Sequence, residues 1–433
     1  MPRWRISVLM VVLLAACSTP MPSTTPTLVR TATVAPTATP TPVARSEPVA
    51  PIDPFAQARR LGRGINLANA LEAPREGEGG IVLAEEHLQV IAEAGFDTIR
   101  VPIRWSAHAM TEPPYTVDET FFWRIDWVIE NGLERGLNVI IDMHHYEELY
   151  SDPPKHQERF IAIWRQIATR YRYQPDSLYL EPLNEPHGQL SPTWWNGLLG
   201  RVVTAIREVD GVHTLIVDAA AWGSIQGLLQ LEIPEGEENA IASFHFYEPF
   251  PFTHQGVEGT NPEFGTTGVQ WPGPPATPLA PNEQAQELAW VRKWFEDYNT
   301  LPTQSNPCSP REIAKQLGWV EQWTERSGKP LFMGEFGTYS AADTQSRVNW
   351  TTTVRQEAEA RGFSWAYWEF GAGFGIYDTA AHRWNQELLG ALIPGSQTGQ
   401  EFHRMRTDDI AQQRVCLGQA DSVEHHGLQE MAR

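Results

Sequence analysis

Two glutamates in this chain stand where carboxyl groups could break a glycosidic bond. The stretch 180–186, Leu-Glu-Pro-Leu-Asn-Glu-Pro, places Asn184 and Glu185 just past an apolar run that reads as a buried strand. A second apolar run, 330–333, is followed by Glu335 and then by Phe336 and Gly337. Retaining cleavage needs two carboxyl groups, one giving a proton to the leaving oxygen and one bonding to the sugar. Either glutamate taken alone is an ordinary solvated residue at a strand end, so the elements that carry them decide the reading.

Those elements alternate. Apolar runs of strand length fall at 64–67, 98–103, 138–143, 177–183, 214–217, 240–246, 330–333 and 363–368. Between them lie amphipathic stretches at 83–94, 119–135, 155–171, 194–209, 310–326 and 344–361. This is the pattern of βα units and a parallel sheet. Gly95, Gly136, Gly211, Gly328 and Gly362 close helical stretches, where a C-cap takes a left-handed residue. Eight strands in this length predict an α/β fold of the (β/α)8 TIM-barrel type, with its active site on the loops after the strands. No Gly-rich phosphate turn follows the first strand, which removes the main support for a doubly wound sheet. The polar residues fall at the predicted strand C-termini: Asn66, Arg100 and Arg104, His144 and His145, Asn184 and Glu185, His245 and Tyr247, Glu335, Trp368 and Glu369. Asp142 and Asp218 lie near strand ends too, and periodicity alone does not exclude them, or Glu369, from catalysis.

Outside the barrel the chain changes character. Residues 1–16 carry Arg3 and Arg5 and then an apolar run too short to span a bilayer, with Cys17 behind Leu14-Ala15-Ala16. The segment resembles a bacterial lipoprotein signal, which makes Cys17 an acylated first residue and the protein an exported, membrane-anchored one; ordinary secretion is the alternative. Residues 17–54 are a Thr/Pro-rich linker without apolar residues enough to form a core. Residues 55–394 form a single catalytic domain, and 395–433 a polar, partly ordered tail. A formal net charge of −20 argues against nucleic acid as a partner. Cys308 and Cys416 could pair after export. No cofactor and no metal is expected, since neither a CxxC spacing nor a His cluster is present. A monomer is expected.

The residue types match the chemistry. Positive charge develops on the sugar ring, so one carboxylate stabilises it and then bonds to it, while the other carboxyl stays protonated until it donates. An arginine and a tyrosine hydroxyl hold a nucleophile ionised, an asparagine amide can bind the sugar 2-hydroxyl, and tryptophan rings match the C–H faces of pyranoses.

Seven stretches in order now resemble glycoside hydrolase family 5 and its cellulases: Gly64-Ile-Asn-Leu-Ala-Asn-Ala-Leu-Glu, Thr98-Ile-Arg-Val-Pro, Asp142-Met-His-His, Leu183-Asn-Glu-Pro, His245-Phe-Tyr, Gly334-Glu-Phe-Gly and Trp365-Ala-Tyr-Trp-Glu-Phe. The resemblance implies Glu185 as acid/base and Glu335 as nucleophile, with Arg100 and Tyr247 supporting Glu335. It places His144, Asn184, His245 and Trp368 around the reacting sugar, and less firmly Asn66 and His145. It implies an endo-β-1,4-glucanase acting on cellulose or a related β-glucan. The alternatives are the same chemistry on β-mannan, xyloglucan or another β-glucoside, or an inactive barrel that binds glycans at the cell surface. A long segment, 250–310, carries Trp271, Trp290 and Trp294, which either line distal subsites or pack the loop.

Overall fold

The computed structural model of the protein describes residues 52–257 and 265–395. The expected signal segment, Cys17, nearly all of the linker, the tail and Cys416 lie outside them. The first described helix starts just before the expected domain boundary. Asp53 caps a helix, Pro54–Leu61, by accepting the Phe55 N–H at 2.9 Å, and Pro54 supplies the fixed φ favoured at the first helical position.

Eight parallel strands close into a barrel in sequence order: β1 (Arg63–Asn66), β2 (Thr98–Val101), β3 (Asn138–Asp142), β4 (Leu178–Glu181), β5 (Leu215–Asp218), β6 (Ala240–Phe246), β7 (Leu331–Phe336) and β8 (Ser364–Tyr367). The expected barrel is therefore the fold. The helices Glu85–Ala94, Glu119–Glu134, Pro153–Tyr171, Pro192–Arg207, Pro310–Ser327 and Thr344–Ala360 also fall where the periodicity puts them. Gly95, Gly136, Gly328 and Gly362 have positive φ as a left-handed cap requires, whereas Gly211 does not. Between β5 and β6 no long helix forms; two four-residue turns of helix, Ala220–Gly223 and Ile225–Leu228, replace it.

The barrel interior explains why function sits at one end. Ile140, Tyr179, Ile216, Ile241, Phe332 and Ala366 fill it, and Ala58 and Leu61 of the first helix close the bottom. Polar bonds seal that plug: the Tyr179 hydroxyl donates to Gln57 Oε1 at 2.6 Å and the Ser364 hydroxyl to the Ala58 carbonyl at 2.6 Å. With the floor filled, only the C-terminal ends of the strands remain free to shape a cavity.

β7 departs from expectation in a way that matters. It continues past Met333 to Phe336, so Glu335 belongs to the strand instead of following it. Against β6 the register runs Phe244 to Met333 and then His245 to Glu335, which leaves Gly334 as the extra residue of a bulge. A Cβ at Gly334 would meet Ser243 Oγ at 2.8 Å, so glycine is needed there. Such a bulge re-aims the following side chain.

In the 250–310 segment Trp271 is buried and Trp294 stacks on Tyr298 with centroids 5.1 Å apart, while Trp290 stays half exposed. None of the three lines either cavity described below. On the barrel helices, the Trp164 and Trp195 indoles donate to the Pro182 and Asp218 carbonyls, which makes them packing residues. Cys308 is buried.

Candidate active site

Arg100 is the centre from which the site is built. It leaves the middle of β2 fully buried, and its five N–H groups meet acceptors from four other strands or strand ends. Nε and Nη2 hold Glu181 at 2.8 and 2.6 Å, Nη2 also meets Asn184 Oδ1 at 2.7 Å, and Nη1 donates to Asn66 Oδ1 at 2.9 Å and Glu335 Oε1 at 2.8 Å. Asp142 lies 3.1 Å from Nη2. Burial works against the guanidinium charge, but Glu181, Asp142 and Glu335 more than offset it, and its pKa rises well above the usual arginine value. Removing one member of such a buried cluster strands the others. Arg100→Met is therefore expected to destabilise the domain by about 3–5 kcal/mol, read as a lower denaturation midpoint in guanidinium chloride at unchanged slope.

Glu335 is held on both oxygens. Arg100 takes Oε1 and the Tyr247 hydroxyl donates to Oε2 at 2.8 Å. Burial pushes its carboxyl up, yet His245, Arg100, His144 and the Tyr247 hydroxyl outweigh it, and its pKa is held at about 2. The group is an anion with little water around it, which suits a nucleophile.

Glu185 faces it from the loop after β4. Its Oε1 lies 2.7 Å from His245 Nδ1, and its side chain is partly exposed. Oxygens of Glu185 and Glu335, with His245 nitrogen, lie within 4.8 Å of one another. Inverting enzymes keep their carboxyls about 6.5–9.5 Å apart and retaining ones about 5–5.5 Å, so this spacing belongs with retention. The same three groups could each offer a ligand atom to a cation, but Arg100 and Tyr247 already hold both oxygens of Glu335, and His245 Nδ1 pairs with Glu185 Oε1.

The remaining expected residues divide between the cavity and its support. A cavity of about 480 Å³ is lined by Glu185, Glu335, Asn184, His144, His145, Tyr247 and Trp368. Asn184 Oδ1 is fixed by Arg100, which leaves its amide N–H groups for the cavity. His144 Nδ1 pairs with Asp142 at 2.9 Å, and its ring stacks against Trp368 at 5.4 Å and 7°. His145 is half exposed and packs edge-on against His144. Asn66 needs correction. It was expected to touch substrate, but it is fully buried, and its amide donates to the Gly334 carbonyl at 3.0 Å while its oxygen receives Arg100. It orients the cluster from below.

Asp142, Asp218 and Glu369 are all buried and line neither cavity. Burial pushes each carboxyl up, to about 7 for Asp142 and Glu369, while at Asp218 the His245 imidazolium beside it opposes that push. Sequence reasoning missed Glu181 as the main partner of Arg100, and also Asn69, Glu72, His254 and Phe374 in the cavity wall. The sequence signal for Glu181 was an acid inside the otherwise apolar run 177–183; the structure pairs it in register with Asp142, so both strand ends present an acid to the same interior. A second cavity of about 610 Å³ shares Glu185, His254 and Tyr247 with the first and adds Trp222, Ile225 and Phe250.

Residues 77–373 match the model of the cellulase family, glycosyl hydrolase family 5. Endoglucanase H of Acetivibrio thermocellus is 31% identical over 352 residues, covering 79% of this chain and 34% of that protein. Endoglucanase C of the same organism is 28% identical over 325 residues, covering 72% of this chain and 90% of that protein. The chain spans between 34% and 50% of the first three curated relatives. Among solved structures, the endoglucanase Cel5A of Thermotoga maritima in complex with cellobiose is 44% identical with a TM-score of 0.69, covering 79% of this chain and 100% of that one. The same protein in complex with mannotriose is matched at 43% identity and a TM-score of 0.68, with the same coverage.

Proposed function

The chain belongs to glycosyl hydrolase family 5, the cellulase family, and from that premise we propose that it is an endo-β-1,4-glucanase cleaving cellulose or a related β-glucan with retention. One observation carries the reading: Glu185 and Glu335 come within 4.8 Å of each other at the top of the barrel, with Glu335 clamped by Arg100 and Tyr247. A surface protein that only binds glycans has no need of such a pair.

The geometry supports a double displacement. Glu335 attacks the anomeric carbon as Glu185 gives its proton to the departing oxygen; Glu185 then takes a proton from water as that water attacks the same carbon and the ester bond breaks. Glu185 is in the wall of both cavities, whereas Glu335 and Trp368 line only the first. The first cavity thus suits the sugar that becomes bonded to Glu335, with Trp368 as its stacking surface and Asn184 at its 2-hydroxyl. The second suits the leaving chain. Support for glucan as substrate comes from the endoglucanase relatives and the cellobiose complex, and the mannotriose complex keeps β-mannan within reach.

Internal cleavage is expected to lower the viscosity of carboxymethyl cellulose faster than reducing ends appear. Release of short products at constant viscosity would sink the endo assignment. Parallel assays on barley β-glucan, glucomannan and xyloglucan rank the polymers.

Location forms part of the proposal. The apolar run before Cys17 and the Pro/Thr-rich tether after it support export and a lipid anchor on that residue. Wild type is expected to take up radioactive palmitate and partition with membranes, and Cys17→Ser to lose both. An unlabelled wild type would leave ordinary secretion.

A further inference from the structure

We propose that Asp218 is the positioning residue of the acid/base, holding Glu185 at its backbone directly and at its carboxyl through His245. The inference rests on Glu185 being the acid/base, as proposed above.

Asp218 is the last residue of β5, next to the β4 end that carries Glu185, and it is fully buried. Its Oδ2 accepts the Glu185 N–H at 2.7 Å, and its Oδ1 accepts the Ala219 N–H at 3.1 Å. That first bond has a specific task, because Glu185 has φ 45°, in the left-handed region that a side chain disfavours. A residue keeps such a conformation only where its surroundings enforce it. The Asp218 carboxylate supplies a charge-assisted acceptor at the point where Glu185 turns out of the strand.

The second hold runs through the His245 ring. Its Nε2 lies 3.5 Å from Asp218 Oδ2, and its Nδ1 lies 2.7 Å from Glu185 Oε1 and 3.5 Å from Glu335 Oε2. Among the described residues Nε2 has no hydrogen-bond partner, so the Asp218 carboxylate is the charge it faces. The chain after Asp218 presses on the same ring: Gly223 has φ 62°, and a Cβ there would lie 2.9 Å from His245 Cγ. The charged groups bearing on Asp218 and His245 are Glu181 and Glu185 from β4 and its loop, Arg100 from β2, Asp142 from β3 and Glu335 from β7. Burial alone would strip the imidazolium of its proton, but Asp218, Glu335 and Glu185 raise its pKa to about 10.

A charged His245 donates to Glu185 Oε1, which leaves Oε2 as the oxygen that carries the acid proton to the departing sugar. Once that proton has gone, the new carboxylate already faces a cation. Asp218 makes no contact with substrate in this scheme; it sets the orientation of Glu185 and the charge beside it.

The test separates proton donation from general damage. Hydrolysis of cellopentaose needs the acid, whereas 2,4-dinitrophenyl β-cellobioside has a leaving group that needs little help. Asp218→Ala is expected to lower kcat/KM on cellopentaose by roughly ten- to a hundredfold, part of the 10²–10⁴-fold a positioned acid contributes, and to leave the aryl substrate near wild type. Asp218→Asn keeps the shape and an acceptor for the Glu185 N–H but removes the charge, so it should show a smaller selective loss, and the His245 ring should titrate at lower pH by NMR. Equal losses on both substrates, or wild-type behaviour of both variants, overturn the proposal. If Asp218→Ala fails to fold, Asp218→Asn decides alone: wild-type kinetics with an unmoved His245 titration overturn it. Glu185→Ala measured alongside keeps the two claims apart. Absence of leaving-group selectivity in that variant sinks the acid/base assignment itself, while selectivity there without it in the Asp218 variants sinks only the inference about Asp218.

Discussion

Glu335→Gln is expected to lose hydrolysis of polymer and of 2,4-dinitrophenyl β-cellobioside alike, by more than the roughly 10⁴-fold upper range of general acid–base catalysis. The substitution keeps the size of the side chain and an oxygen for one of its two partners, Arg100 and Tyr247, so the barrel should fold. It removes the group proposed to form the glycosyl ester, and a better leaving group does not replace a missing nucleophile. Intact-protein mass spectrometry with a 2-deoxy-2-fluoro cellobioside should show an adduct on wild type and none on the variant. The wild-type pH profile adds a second reading. Because Glu335 is held at about 2, falling pH protonates it late, and the acidic limb of kcat/KM should lie well below the ordinary glutamate pKa. The sign for stability is the same: its contribution is present above the unfolded pKa and is lost as pH falls toward about 2. An α-anomer as the first product by proton NMR would mean inversion, and Glu335 would have to be dropped as nucleophile.

The barrel was legible because parallel strands buried on both faces write themselves as apolar runs, and here those runs alternate with helical stretches. The strand at Ala240–Phe246 matched to the residue. What the sequence hid was depth and register. Asn66 and Asn184 both stand near strand ends with the same amide, yet one is sealed beneath Arg100 and the other lines the cavity. Only the stagger of a closed barrel separates them. Glu335 looked like a loop residue because Met333 is followed by glycine, and the bulge at Gly334 that keeps it in the strand depends on pairing with β6. Glu181 went unread for the same reason: its partner, Arg100, is 81 positions away and meets it only when β2, β3 and β4 lie side by side.

Glu185→Ala should fail differently from Glu335→Gln, and the difference decides which carboxylate does which work. Without Glu185 the leaving oxygen receives no proton, so kcat/KM on cellulose derivatives should fall by about 10²–10⁴-fold. On 2,4-dinitrophenyl β-cellobioside the first step needs little acid, so kcat/KM should stay near wild type. The ester to Glu335 then forms but has no base to activate water, and it accumulates: a burst of dinitrophenolate followed by slow turnover. Azide is small, already anionic and needs no base. It should enter the space left by the shortened side chain, attack the anomeric carbon and restore turnover, releasing Glu335 and giving a β-glycosyl azide, because two inversions at one carbon return the starting configuration. In a Glu335→Ala variant the acid is intact and no ester exists, so azide can only displace directly and give an α-product. The approach of the two carboxylates to within 4.8 Å leaves little room for a water between Glu335 and the sugar, which favours the ester route. A Glu185→Ala variant that shows no burst and yields α-azide would exchange the two roles, and the partners of each group, Arg100 and Tyr247 on Glu335 and His245 on Glu185, would have to be reread with them.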